Sequence, residues 1–236
     1  DNVTVTDRER PCVGSVVRVS RMLRGPLFCK HGYVDIDQVK SHISIICATA
    51  QLFGVSVPAT ERYRTDPEEV NMDVILHWSG TGPDNELTKS DVKHLMIVTA
   101  YGGSVRNWLT TIENGKLEDV DGVPVFVIPP RVLRNLDSVP PVYQQIRDEL
   151  ATMRDVVYSC NPMLACEGDD MDKKKRSVSS VFYQTIEHYI SYCALECCVT
   201  NGWVHKNGDN YQFVWGYDGF SWIPLSEIGD AQIDVI

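Results

Sequence analysis

Apolar residues recur at spacings of three and four over much of the chain, a pattern typical of amphipathic helices. Short apolar or alternating runs instead predict strands at "GYVDI" (32–36) and "VPVFVI" (123–128), and a hairpin at "NYQFVWGYDGFSWIP" (210–224). The predicted helices, in chain order, cover Gln38 to about Phe53, 67–78, 88–101, Val105 to Glu113, Val142 to Val157 and Ser177 to about Thr200.

One predicted helix carries an ordered stripe of side chains. The segment "KSDVKHLMIVTAYGG" (89–103) places two cations, an apolar residue and an aromatic ring at steps of four: Lys89, Lys93, Ile97 and Tyr101. On a helix this stripe is about 18 Å long. A nucleoside triphosphate has the same order of chemistry, with anionic phosphates at one end and a flat base at the other. The same pattern also fits a surface helix with snorkelling lysines and a core tyrosine.

Both ends of this helix have local signals. Thr88 with Asp91 three residues later forms a predicted capping box, and Gly102-Gly103 ends the pattern. The segment is therefore predicted to begin and end as one independent helix.

Composition limits the classes of protein. The chain has 236 residues, is 43% hydrophobic and carries a net charge of −10, which argues against a passive nucleic-acid coat. No apolar run approaches the length of a membrane span, so we expect no membrane partner and an intracellular setting. Two clusters of basic residues fit either solvated loops or phosphate contacts: Lys173 to Arg176, and Arg131 with Arg134.

The cysteines suggest a reducing compartment. Eight are scattered along the chain without a CxxC pair, so we interpret most of them as buried thiols. Four of them leave a zinc site as an alternative: Cys160, Cys166, Cys193 and Cys197.

Two aspartates lie beside predicted strands, one on each side of the basic helix in sequence. Asp35 lies where a strand turns into a helix, and Asp218 lies in the turn of the C-terminal hairpin. Each also suits ordinary capping or turn chemistry. Two such carboxylates are what two-metal phosphoryl transfer requires, with two Mg²⁺ ions, or Mn²⁺ in their place.

Three segments together resemble the family A, or polymerase I type, DNA polymerases and the single-subunit phage-type polymerases. "DIDQVKSHISI" is similar to their motif A, Asp-x-Ser-Gln-Ile-Glu-x-Arg-Ile. "KSDVKHLMIVTAYGG" is similar to motif B, Arg-x₃-Lys-x₃-Phe-x₃-Tyr-Gly, and "YDGF" resembles motif C, His-Asp-Glu or His-Asp-Ser. The order of the three and the spacing inside motif B both match, over roughly residues 31–110 and 176–225.

The resemblance implies a role for each matching residue. Asp35 and Asp218 would bind the metal ions, Lys93 would contact the triphosphate and protonate the departing pyrophosphate, and Lys89 would hold the γ-phosphate. Further nucleotide contacts would come from Gln38, Lys40, Ile97, Tyr101 and Gly102. His42 would contact the primer or fill the core. One polar helix face would meet either the template–primer minor groove or solvent: Ser177, Ser180, Tyr183, Gln184 and Glu187.

This sequence also departs from the family pattern. Lys89 replaces an arginine and loses its bidentate fork, Ile97 replaces an aromatic residue, and Tyr217 replaces a histidine. Lys40 stands where the family places a glutamate against the ribose 2′-OH. The choice between dNTP and rNTP is therefore open.

The expected fold is an α/β right-hand polymerase core, with a small antiparallel palm sheet beside helical fingers. Its expected parts are an N-terminal segment (1–30), palm (31–60), fingers (61–130) and further palm with the motif C hairpin (131–236). Template–primer nucleic acid and nucleoside triphosphates are the expected partners. A thumb or processivity partner would come from another chain or a missing segment.

Two alternatives differ in chemistry. Gly168-Asp169-Asp170 matches the catalytic turn of viral RNA-dependent RNA polymerases, but its flanks indicate a charged loop rather than strands. A polymerase-like fold that only binds nucleic acid is the other alternative.

Overall fold

The computed structural model describes residues 34–37, 41–79, 87–120, 123–203, 206–207, 210–211, 213–215 and 219–222. These residues divide into two units. One comprises 42–184, and the other comprises the strand at 34–37, Ser41 and the described residues from 185 onward.

Seven α-helices lie within the described residues. They are α1 (Ser41–Leu52), α2 (Pro58–Thr65), α3 (Pro67–Ser79), α4 (Lys89–Ala100), α5 (Val105–Asn114), α6 (Pro141–Cys160) and α7 (Met171–Thr200). Five of the predicted helices are confirmed to within a few residues. The sequence pattern missed α2 altogether, and α7 begins six residues before the predicted Ser177. None of the described helices has the length and hydropathy needed to cross a bilayer.

The strands are short and antiparallel. They are β1 (Val34–Asp37), β2 (Lys116–Val120), β3 (Val123–Ile128), β4 (Lys206–Asn207), β5 (Asn210–Tyr211), β6 (Phe213–Trp215) and β7 (Gly219–Trp222). They pair as β1-β7-β6, β2-β3 and β4-β5. In the three-stranded ladder Asp35 lies opposite Ser221, and Phe213 lies opposite Trp222.

The expected fold class, an α/β palm with an antiparallel sheet, is wrong: the described structure is mostly helical. The helices are 8 to 30 residues long, whereas the strands have only 2 to 6 residues. The physical reason is that side chains of α3 to α6 supply most of the largest fully buried residues of the 42–184 unit. The apolar strand patterns therefore form only short ladders.

Aromatic residues hold the centre of the 42–184 unit. Trp78 is fully buried, and its ring centroid lies 5.9 Å from that of Trp108 and 5.8 Å from that of Tyr143. Its indole Nε1 donates to the Ser138 carbonyl at 3.1 Å, so the polar edge is also satisfied. This cluster joins α3, α5 and α6.

Helix α6 also caps α2. The carboxylate of Glu149 accepts hydrogen bonds from the backbone N–H groups of Ala59 at 2.9 Å and Thr60 at 2.8 Å. A helix N-terminus carries unpaired N–H donors and favours negative charge. The carboxylate that satisfies α2 therefore comes from a residue about 90 positions later in the chain.

Candidate functional site

Helix α4 presents the predicted stripe from an exposed end to a half-buried end. Lys89 and Lys93 are exposed, whereas Ile97 and Tyr101 are half-buried. Lys89 forms an ion pair with Glu68 of α3, but both side chains are more than half exposed, so water screens the pair strongly. The order of cations, apolar residue and aromatic ring predicted from the sequence is thus kept along one helix.

The start of α4 is fixed by Asp91. The predicted capping box is confirmed: the Asp91 N–H donates to Thr88 Oγ1 at 3.2 Å, and the Thr88 N–H donates to Asp91 Oδ2 at 2.8 Å. Arg131 Nε also donates to Asp91 Oδ2 at 3.1 Å, and both side chains are largely buried. The sequence left Arg131 as either a solvated residue or a phosphate contact. In the structure it pairs with Asp91, the aspartate of the capping box.

The end of α4 is a tight turn that requires glycine. Gly102 has φ +74°, and a Cβ added there would lie 2.6 Å from Arg176 Cγ. A Cβ on Gly103 would lie 2.4 Å from Val98 Cγ1. Contacts this short exclude any side chain without rearrangement, so the glycine pair lets neighbouring groups approach the backbone closely.

His42 lies beside the aromatic end of the stripe. Its ring meets that of Tyr101 edge to face, with 5.2 Å between the ring centroids and 86° between the planes. The structure therefore brings together two residues that the sequence assigned to the site from different motifs. The ring contact favours a packing role for His42 over a primer contact.

Two residues of α6, which sequence reasoning missed, hold the last turn of α4 at Thr99. The Thr99 hydroxyl lies 2.7 Å from the Tyr143 hydroxyl, and the Thr99 carbonyl accepts from Arg154 Nη1 at 2.8 Å. Burial raises the pKa of Tyr143 and lowers that of Arg154. They are 44 and 55 residues away in sequence, and no local signal links them to α4.

The polar face expected on α7 is only partly at the surface. Ser177, Ser180 and Gln184 are partly exposed, whereas Tyr183 and Glu187 are buried. Burial raises the pKa of Tyr183, and Glu187 accepts a hydrogen bond from Ser41 Oγ. In this conformation Tyr183 and Glu187 are interior residues, so a minor-groove contact would have to come from the other three.

The backbone of Asp35 lies in β1, next to β7. Asp35 pairs with Ser221 and Asp37 pairs with Gly219, the residue that follows Asp218. Four predicted site features fall outside the described residues: Gln38, Lys40, Asp218 and the side chain of Asp35. The expectation that Asp35 and Asp218 bind the same pair of metal ions therefore stays a prediction.

The structure does not favour the alternative metal sites. Asp169 and Asp170 lie in an exposed segment before α7, and the Lys173 N–H donates to Asp170 Oδ1 at 3.0 Å, so Asp170 acts as a helix cap. Cys160 and Cys193 are exposed free thiols. Within the described residues no cluster of three or more candidate ligands could hold a metal ion. The two Mg²⁺ ions expected at Asp35 and Asp218 remain a prediction.

Comparison with known proteins gives no assignment. The chain matches no protein-family model, no curated protein and no solved structure.

Proposed function

We propose that this protein is a template-directed nucleotidyltransferase that synthesises DNA from dNTPs. The observation that carries the proposal is helix α4, which runs from two exposed lysines to a tyrosine–glycine turn in the order that a bound nucleoside triphosphate requires. The right-hand palm architecture is not part of the proposal.

Lys93 is the central residue of the nucleotide contact. It lies one turn from Lys89 and two turns from Tyr101. At a rise of about 1.5 Å per residue, Lys93 and Tyr101 are about 12 Å apart along the helix axis. Its exposed ammonium would stabilise the negative charge that develops on the departing pyrophosphate. Lys89 would bind the γ-phosphate after leaving Glu68, a weak exposed partner.

Tyr101 and Gly102 would form the surface for the base. The Tyr101 ring, which belongs to a half-buried residue, would offer a flat apolar face, and the glycine turn would let the substrate approach the backbone. Ile97, between the lysines and Tyr101, would lie against the sugar. An aliphatic residue there, with Lys40 in motif A, leaves sugar preference to be measured.

The metal-binding part of the proposal rests on donor chemistry and strand register. Asp35 and Asp218 would hold two Mg²⁺ ions, since Mg²⁺ prefers carboxylate oxygens. Pairing of Asp37 with Gly219 brings the backbone beside both positions into one ladder. When bound, the ions would supply positive charge for attack of a primer 3′-OH on the α-phosphate.

A primer-extension assay tests the proposal directly. DNA and RNA templates are crossed with dNTPs and rNTPs in the presence of Mg²⁺, and wild type is expected to extend the primer with dNTPs. Asp218→Asn should reduce incorporation by orders of magnitude while folding is unchanged, because it removes a metal-binding charge. Asp169→Asn is the matched control, since this aspartate lies in an exposed segment.

Lysine variants test the role of α4. Lys93→Ala is expected to slow incorporation more than it weakens dNTP binding, because its charge acts mainly as pyrophosphate leaves. Lys116→Ala replaces an exposed lysine on β2 and should leave both quantities unchanged. A wild type that neither binds dNTP nor extends a primer would overturn the proposal. Activity lost in Asp169→Asn but kept in Asp218→Asn would favour the RNA-dependent alternative.

A further inference from the structure

Arg154 contacts both features that end helix α4. Its Nη1 donates to the Thr99 carbonyl at 2.8 Å. Its Nε lies 3.2 Å from the point where a Cβ on Gly102 would stand, so the guanidinium lies against the glycine turn. Tyr143, three helical turns earlier on the same face of α6, bonds the Thr99 hydroxyl. Together these α6 side chains hold the turn that follows Thr99.

The hydrogen bond from Arg154 is not needed to satisfy the carbonyl it contacts. The Gly102 N–H also donates to the Thr99 carbonyl, at 2.9 Å. Among the residues that the structure describes, no carboxylate lies within ion-pair distance of Arg154. Burial lowers the pKa of Arg154 most strongly, and the nearby charge of Arg176 adds to the shift, whereas Tyr183, Asp155 and Asp172 oppose it. Because this carbonyl already has another donor, we expect the hydrogen bond from Arg154 to contribute little to global stability.

We propose that Arg154 is a positioning residue for the nucleotide, acting by fixing the Tyr101–Gly102 turn through its bond to Thr99 and its contact with Gly102. This inference rests on the proposed function of α4. A turn that moved freely would present the Tyr101 ring in several positions. The nucleotide would then have to order the turn when it binds, and this free-energy cost would weaken its affinity. Arg154 thus acts through Tyr101 and Gly102, without touching the nucleotide.

Three variants separate positioning from a general structural role. Arg154→Met removes the charge and the donors but keeps an unbranched apolar stem. Arg154→Lys keeps the charge and a single donor group, so it should recover part of the lost function. Arg147→Met is the matched control, because Arg147 lies two turns earlier on α6 and forms a 3.8 Å ion pair with the exposed Asp148.

The first measurement is affinity for dTTP with Mg²⁺ on a primer–template whose primer ends in a dideoxynucleotide. Arg154→Met is expected to bind dTTP about tenfold more weakly. Its affinity for the primer–template and its Tm should stay near those of wild type. Arg147→Met should match wild type in all three quantities, and Arg154→Lys should lie between the two. If Arg154 served stability alone, Arg154→Met would lower the Tm and would not weaken dTTP binding in preference to primer–template binding.

The second measurement is amide hydrogen exchange over 97–103, which needs no activity. Exchange at Tyr101, Gly102 and Gly103 is expected to accelerate in Arg154→Met and not in Arg147→Met. Suppose that wild type binds dTTP but Arg154→Met shows unchanged exchange or unchanged dTTP affinity. That result would overturn the positioning role and leave the proposed function intact. Absence of dTTP binding by wild type would overturn the proposed function and the inference that rests on it.

Discussion

Gly102 requires glycine for two separate reasons, one in the backbone and one in its surroundings. Its φ of +74° lies in the left-handed region, and Arg176 occupies the space where a side chain would stand. Gly54, at the end of α1, also has positive φ, +66°, but nothing lies within 4 Å of its missing Cβ. Alanine substitutions at Gly102 and Gly54 can therefore distinguish the cost of backbone strain from the cost of steric crowding.

Gly102→Ala is expected to lower the free energy of unfolding by about 2–3 kcal/mol, because strain and overpacking add. Gly54→Ala should cost only about 1 kcal/mol, since strain alone applies. Urea denaturation of both variants measures the difference. Equal losses would mean that the Arg176 stem moves aside at no cost.

Thiol reactivity should follow burial. Burial, with a further contribution from Glu61, raises the pKa of the Cys47 thiol to about 12, and burial raises that of Cys198 to about 11. The thiolate is the reactive form, so a raised pKa slows alkylation. Iodoacetamide at pH 8 should modify the exposed Cys160 and Cys193 well before Cys47 and Cys198. Peptide mass spectrometry follows each site, and early modification of Cys47 in folded protein would contradict this order.

At the scale of elements, the two ends of α4 are held by different means. The N-terminal end is closed by its own Thr88 and Asp91, with Arg131 from 40 residues later bonded to the same carboxylate. The C-terminal end is held by α6 through Thr99. Helix α4, whose stripe we propose to bind a nucleotide, is thereby fixed at both ends, and Lys89 and Lys93 stay exposed.

Asp91→Ala is expected to destabilise the protein by about 2–3 kcal/mol, because it removes a helix cap and leaves Arg131 without its buried partner. Thr88→Ala should cost about 1 kcal/mol, since it removes one side of the capping box. A double-mutant cycle with Arg131→Met, measured by urea denaturation, isolates the ion pair. Additive losses in Asp91→Ala and Arg131→Met would show that the pair contributes nothing.

For the whole molecule, net charge limits how nucleic acid could bind under the proposed function. Acidic residues outnumber basic ones, 32 to 22, so contact with phosphates must be local. In the basic run at the start of α7, Lys175 is paired with Asp155 at 2.9 Å, whereas Lys173 is exposed. This pair leaves three cations of the run for phosphate contacts: Lys173, Lys174 and Arg176.

Under the proposed function, primer–template affinity should fall with salt at a shallow slope of about −3 in log–log form, as expected for about three phosphate contacts. Lys173→Gln should reduce this slope by about 1, and Lys175→Gln should reduce it less, because Asp155 already neutralises Lys175. Fluorescence anisotropy gives these slopes when affinity is measured between about 50 and about 200 mM salt. A slope near −10 would contradict a binding surface this small.

Helix α4 was predicted correctly from the sequence, because its capping box, the spacing of its apolar residues and the glycine pair at its end are all local signals. It missed α2, whose N-terminal donors are satisfied by Glu149 from α6. It placed the start of α7 too late, although Asp170 before a run of helix-forming lysines was a local capping signal. The α/β fold class failed because short apolar strand patterns do not reveal how little of the core they form.

The candidate site divides in the same way. The stripe from Lys89 to Tyr101 follows from the sequence, since residues four apart share one face of any α-helix. Tertiary structure alone decided that Arg154 and Tyr143 hold Thr99, that Arg176 lies over Gly102, and that Tyr183 and Glu187 are buried. Those contacts join residues far apart in the chain, and their distances depend on how helices pack, which no local periodicity contains.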